Sequence, residues 1–219
     1  MPTTRTILVY KYDELSDNAK DNVKTKYIAP NIDLEYVIDN AKHEGVERGF
    51  EIEDVSWSGF SSQGDGASWT GRVLLDKFLN YHLKENHADY ARYTVLLTLA
   101  GDGWVDNFVN VGRKAFMYNH SGTMTIDQPY MGYVNAKDDA TIGTECPLQG
   151  ASVPQLYEGI DINNLLDDLY QWMLREAKSY ADEIYKDLEA AYDDEMSDQH
   201  VSVMADANEW EFDETGRLI

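Results

Sequence analysis

The sequence predicts an α+β fold: a mainly antiparallel β-sheet packed by N-terminal helices and by a long acidic helical region toward the C-terminal end. Three observations carry this. Strand-like runs rich in β-branched and aromatic residues come in groups. Helix-like runs with apolar residues at three- and four-residue steps also come in groups. Their order, β-α-α-β-β-α-β-β-β-α-α-β, lacks the strict alternation of a parallel sheet. A chain of 219 residues suits one domain, or one domain with an appendage, and can bury a core without covalent staples. The expected division is a sheet domain over 1–154 and an acidic helical region with a terminal hairpin over 155–219, packed on the same core.

The elements follow in order. Thr6–Tyr12, TILVYKY, reads as a strand. Ser16 is placed to cap a helix that runs to about Tyr27 and stops before Pro30. A second helix over about Asp33–His43 puts Leu34, Val37, Ile38 and Ala41 on one face. In Phe50–Ser58 the alternation shifts phase between Phe50/Ile52 and Val55/Trp57, which predicts a bulge. Leu75, Phe78, Leu79 and Leu83 have helical spacing. Tyr93–Leu99, YTVLLTL, reads as a strand buried on both faces. Ala115–Tyr118 and Met124–Ile126 flank Asn119–Gly122, a hairpin turn. Asn135–Pro154 reads as a long polar loop. Ile160–Tyr192 carries the strongest helical pattern, as one helix or a kinked pair. A short helix near Ser197–Ala207 with Ser197 as cap follows, and Asp213–Gly216 forms a turn near the terminus.

Charge narrows the function classes. Forty acidic residues against eighteen basic ones give a net −22. Direct nucleic-acid binding through phosphates needs a basic stripe, and an anionic membrane needs the same. Both are disfavoured, whereas basic partners are attracted. A single cysteine, Cys146, excludes an internal disulfide and a cysteine-built zinc site, and fits a reducing cytoplasm. The N-terminal stretch lacks a signal-peptide layout, and no apolar run approaches membrane-spanning length. The expected setting is cytoplasmic, without membrane contact.

The segment Trp57–Val73, WSGFSSQGDGASWTGRV, comes close to two chemical motifs. A phosphate loop, GxxxxGK[ST], would need a lysine and a hydroxyl where Arg72 and Val73 stand. A nucleophile elbow, GxSxG, would need one residue fewer around Ser68. A structural reading explains the same residues: Asp65-Gly66 as a left-handed hairpin turn, with Trp57 and Trp69 as cross-strand partners. As a ligand loop, its polar contacts would be Gln63, Asp65, Ser68 and Arg72. A second Gly-Asp-Gly beside a tryptophan, AGDGWVD at 100–106, reads as a similarly built turn. The five histidines, His43, His82, His87, His120 and His200, show no metal-ligand spacing, and the doublets Asp138-Asp139, Asp167-Asp168 and Asp193-Asp194 are not calcium loops. No catalytic constellation, cofactor or metal is expected.

The acidity is regional. Residues 155–219 hold 18 acidic and 4 basic residues, a net −14; residues 1–154 hold 22 and 14, a net −8. Asp182, Glu183, Asp187, Glu189, Asp193 and Asp194 stand outside the apolar stripe of the long helix. Residues three and four apart lie roughly 5–6 Å apart at Cβ. DNA phosphates along one strand have a comparable separation, on the order of the 3.4 Å rise plus the winding of the strand. Such a face either mimics a phosphate track or is simply solvated.

Three stretches carry a family likeness: YKYDELSDNAKDNVKTKY (10–27), SGFSSQGDGASWTG (58–71) and ANEWEFDETGRLI (207–219). They resemble hypothetical proteins of tailed bacteriophages and prophages. Those proteins share an ELS-x-x-AK helix start, an SGF-x-SQGDGASF-x-G box and an AN-x-YEF-x-x-x-G end. Trp69 stands where that box commonly has phenylalanine. The resemblance implies a phage origin and a host-cell cytoplasmic setting, without a mechanism. Small acidic phage proteins are often similar in role to DNA-mimic inhibitors of restriction or CRISPR complexes. The expected function is therefore a non-enzymatic inhibitor that binds a basic surface of a host defence or nucleic-acid-processing complex through the six acidic residues above. The alternatives are a small-molecule or nucleotide-binding module using loop 58–71, and a virion structural or assembly protein. Exposed tyrosines permit a homodimer.

Overall fold

The computed structural model describes residues 8–83, 90–101, 107–114, 118–127 and 162–219. It has the expected α+β class. The chain divides into two compact units: a sheet unit, Asp39–Tyr185, and a terminal unit built from Met1–Ile38 with Lys186–Ile219. The boundaries fall inside two helices, α2 (Glu35–Glu47) and α5 (Ile162–Glu195). The position 154/155 lies outside the described residues, as do Asn135–Pro154 and the 102–106 part of the second Gly-Asp-Gly stretch.

The sheet unit holds an antiparallel sheet in the order β1 (Phe50–Ser58), β2 (Gly66–Leu74), β3 (Phe108–Arg113), β4 (Met124–Ile126). The predicted bulge is present: Ile52 faces Gly71, Asp54 faces Thr70, and Glu53 is the extra residue between them. The bulge explains Gly71. Its φ of +148° is a conformation that side-chain-bearing residues rarely adopt, and a Cβ there would lie 2.0 Å from the Glu51 carbonyl oxygen. One face of the sheet buries Phe50, Trp69, Val73, Val109 and Val111. Trp69, fully buried, donates its indole N–H to the Ala177 carbonyl at 3.1 Å. Phe50 stacks on Tyr180, 5.5 Å between rings, and Tyr180 donates its hydroxyl to the Ala41 carbonyl at 2.6 Å. Helix α3 (Leu75–His82) follows β2 directly and buries Phe78 and Leu79.

Several expectations are corrected here. Tyr93–Leu99 is not a strand but lies in helix α4, Tyr90–Gly101. Its buried residues Tyr93, Leu96 and Ala100 have helical spacing, and the continuous apolar run hid that period. The strand that leads toward the Asn119–Gly122 turn is Phe108–Arg113, where Val109 and Val111 are buried and alternate with exposed Phe108 and Asn110. Ala115–Met117 lie outside the described residues, and Tyr118 is irregular. Trp57 and Trp69 are not direct partners: Trp69 faces Val55 and Trp57 faces Ala67, because the bulge shifts the register. Nor is Asp65-Gly66 a left-handed turn. The connection spans 59–65, its left-handed residue is Gly59, and Gly66 is the first residue of β2.

The terminal unit is organised by caps and a small apolar cluster. Ser16 caps α1 (Asp17–Val23) by accepting from the Ala19 N–H, and Ser197 caps α6 (Asp198–Ala207) by accepting from the His200 N–H. Beyond α1 the chain widens into a π-helical turn, Lys24–Ile28, and tightens into a 3-10 turn, Ala29–Asn31, so Pro30 is accommodated at the start of that turn. Tyr12, Leu15, Ala19, Val23 and Ile28 pack with Val201, Ala205 and Phe212. The expected strand Thr6–Tyr12 reduces, among the described residues, to a bridge between Tyr10 and Phe212, while Tyr12 starts a 3-10 turn. Phe212 also bridges Leu218, giving the expected terminal hairpin, and the Asp213 carboxylate accepts from Thr215 and Arg217 across its turn.

Candidate functional site

The loop 59–65 connects β1 and β2 and is organised by its own acid. The Asp65 carboxylate accepts the backbone N–H groups of Ser61, at 2.8 Å, and Ser62, at 2.5 Å. Two consecutive N–H groups turned toward one anion are the local chemistry of an anion nest, filled here by the protein's own carboxylate. Aromatic rings brace the loop: Phe60 stacks on Trp57 at 5.2 Å and meets Tyr185 at 5.6 Å, and Tyr185 donates to the Gly59 carbonyl. Gly66 permits the close approach of His120, since a Cβ there would lie 2.5 Å from the His120 Cβ.

The four residues proposed for a ligand loop do not converge. Gln63 is exposed in the loop. Asp65 is turned inward on Ser61 and Ser62. Ser68, the third residue of β2, is fully buried opposite Ser56, and its hydroxyl has no hydrogen-bond partner among the described residues. Arg72 lies a further four residues along the strand, about 13 Å at the rise of a β-strand. It lies 3.9 Å from Glu51 and sits over the Phe108 ring.

The six acidic residues on α5 occupy different environments. In the sheet unit, Asp182 is exposed, whereas Glu183 is engaged by the Arg48 guanidinium at 2.6 Å, and Arg48 also stacks over Tyr180. In the terminal unit, Asp187, Asp193 and Asp194 are exposed and Glu189 is half-buried. Asp182, Asp187, Asp193 and Asp194 form no ion pair with any described residue. Asp187 and Asp194 are seven residues apart, so they share a side of the helix at about 10.5 Å of axial rise. Asp193 projects about 100° away from Asp194.

Sequence reasoning passed over Asp198, a carboxylate of the terminal unit that gathers three remote side chains. It meets the Lys24 ammonium at 2.6 Å, the Lys20 ammonium at 3.6 Å and the Tyr12 hydroxyl at 3.0 Å. The hydrogen bond from Lys24 holds the Asp198 carboxyl below its ordinary range, with the Tyr12 bond adding to it. Burial first, and the Asp198 carboxylate second, push the Tyr12 phenol well above its usual value. The sequence offers no signal for this cluster, because Tyr12 and Asp198 are 186 residues apart.

Among the histidines, His82 is half-buried against Phe78, Tyr81 and Trp172, and burial lowers its pKa. His120 accepts the Gly122 N–H through Nδ1, and His200 meets Glu195 at 3.1 Å. His87, Cys146 and Asp138-Asp139 lie outside the described residues. Among the described residues no group of three His, Cys, Asp or Glu side chains is arranged to hold a metal, and no helix is long and apolar enough to cross a membrane.

Residues 33–198 match the family described as Domain of unknown function (DUF8835). The chain belongs to that family. The match takes in the loop 59–65, the whole sheet, α5 and the first residue of α6, Asp198. No curated protein and no solved structure matches the chain.

Proposed function

We propose that the protein is a phage-encoded acidic inhibitor that occupies a basic, nucleic-acid-binding surface of a host defence or nucleic-acid-processing complex, in the manner of a DNA mimic. The single observation that supports it most is the set of exposed carboxylates on α5, Asp187, Asp193 and Asp194, without ion pairs to described residues. The surrounding charge reinforces it. The terminal unit holds 17 acidic and 7 basic residues, a net −10. Of its bases, Lys11, Lys20 and Lys24 are already paired with Glu211 and Asp198. A surface with this excess of carboxylates attracts basic partners and accelerates their encounter. Relative to the six residues expected from sequence, Glu183 contributes less, because Arg48 neutralises it.

The experiment is capture of host proteins on the wild-type chain and on the triple variant Asp187→Lys, Asp193→Lys, Asp194→Lys. Competition with duplex DNA follows, at low and high salt. A specific nucleic-acid-binding complex should be retained by the wild type, released by DNA and lost with the triple variant. Retention that is indifferent to charge reversal, DNA and salt would defeat the proposal.

A further inference from the structure

We infer that Asp198 is an electrostatic clasp, which holds the two remote segments of the terminal unit together and lets them separate when its charge is lost. The geometry carries this. One carboxylate at the first turn of α6 gathers three groups from the other segment: Tyr12 from the 3-10 turn, Lys20 from α1, and Lys24 from the turn that follows it. The lysine side chains are only 17% and 19% exposed, while the Asp198 side chain is 57% exposed. Two largely buried lysine side chains therefore share one counter-charge that remains accessible to protons and to competing cations. The Lys20 ammonium also lies 5.4 Å from the Tyr12 ring centre, so it is held against the same buried phenol.

Loss of that one charge has a cooperative consequence. It leaves two lysine ammonium groups without the counter-charge they share and removes the charged acceptor of a buried hydroxyl. The other charged groups nearby do not replace it. Asp13 and Asp21 act on Tyr12 only through space, and Glu195 is engaged with His200. Because its pKa is depressed on folding, Asp198 contributes stability that is complete above the ordinary carboxylate range. That contribution is lost as pH falls through the lower folded value. The same segments also share an apolar cluster that includes Tyr12, Val23, Val201 and Phe212, and the Tyr10–Phe212 bridge, so the clasp adds a charge-dependent joint to apolar and backbone ones.

The test is amide hydrogen exchange on the full chain. Asp198→Asn keeps an acceptor for Tyr12 and removes only the charge. It should accelerate exchange about tenfold or more in residues 17–28 and 198–212 while leaving β1 and β2 unchanged. Adding Lys20→Met and Lys24→Met to Asp198→Asn removes the stranded ammoniums and should return most of the protection. Three results overturn the inference: no acceleration in Asp198→Asn, equal acceleration in β1 and β2, or no recovery in the triple variant. None of these depends on whether a basic partner exists.

Discussion

The two units solve the same problem with different materials. The sheet unit is one continuous span of chain whose neighbouring strands pair and whose core is aromatic, with Phe50, Trp69, Phe78 and Tyr180 in mutual contact or hydrogen-bonded to helices. The terminal unit joins segments from opposite ends of the sequence around a smaller cluster, and ties them with side-chain charge. Its net charge of −10 nearly equals the −12 of the sheet unit, which is about twice as long. Self-repulsion is therefore denser where apolar burial is thinner. A non-local, charge-dense unit is the part of a protein expected to open first, and the part most responsive to a basic partner.

The sharpest way to break the comparison is at its rigid end. Gly71→Ala places a Cβ 2.0 Å from the Glu51 carbonyl oxygen, at a φ of +148° and opposite the bulge. Both strands would have to shift, so a loss of about 4–5 kcal/mol or failure to fold is expected, at the exceptional end of single substitutions. Chemical denaturation of the purified variant measures it. A fully tolerated alanine would mean that the bulge does not set the register.

Next is the heart of the terminal unit. Phe212 is fully buried and bridges both Tyr10 and Leu218. Phe212→Ala should cost about 3–4 kcal/mol. Its distinguishing sign is location: exchange should rise in α1 and α6 before it rises in β1 and β2. A uniform rise across both units would remove the distinction between them.

A smaller effect probes how Trp69 is fitted in the sheet core. Trp69→Phe keeps a ring in the core but removes the N–H that meets the Ala177 carbonyl and leaves part of the indole volume empty. A loss of about 1–2 kcal/mol is expected, read from the denaturation midpoint. An unchanged midpoint would show that phenylalanine fills the site equally well.

What the sequence made legible follows from range. Ser16 and Ser197 were readable as caps because a cap is a local bond, and the bulge was readable because Phe50/Ile52 and Val55/Trp57 break phase within one strand. The partner of Trp69 was not, since the extra residue that betrays the bulge also displaces the register by one. Tyr93–Leu99 misled because a short apolar run has the same look in a strand and in a buried helix. The acidic residues of α5 were legible as a patch but not as individuals: nothing near Glu183 in the chain announces Arg48, 135 residues away. The Asp198 cluster was invisible for the same reason.

The smallest predicted effect bears on the loop and its chemistry. Ser68 lies within β2, fully buried, with a hydroxyl that finds no partner among the described residues. A buried polar group without a hydrogen bond costs free energy that an apolar replacement of similar size does not. Ser68→Ala should therefore leave stability unchanged or raise it by up to about 1 kcal/mol. The same substitution separates two views of the SGFSSQGDGASW stretch. If Ser68 serves only the sheet, the variant keeps every binding property of the parent. If the hydroxyl is kept for a ligand, a nucleotide or small molecule that raises the melting temperature of the parent should fail to do so in Ser68→Ala. The geometry favours the first outcome, because Asp65 already fills the loop's own anion site and Arg72 is turned to Glu51 and Phe108 instead.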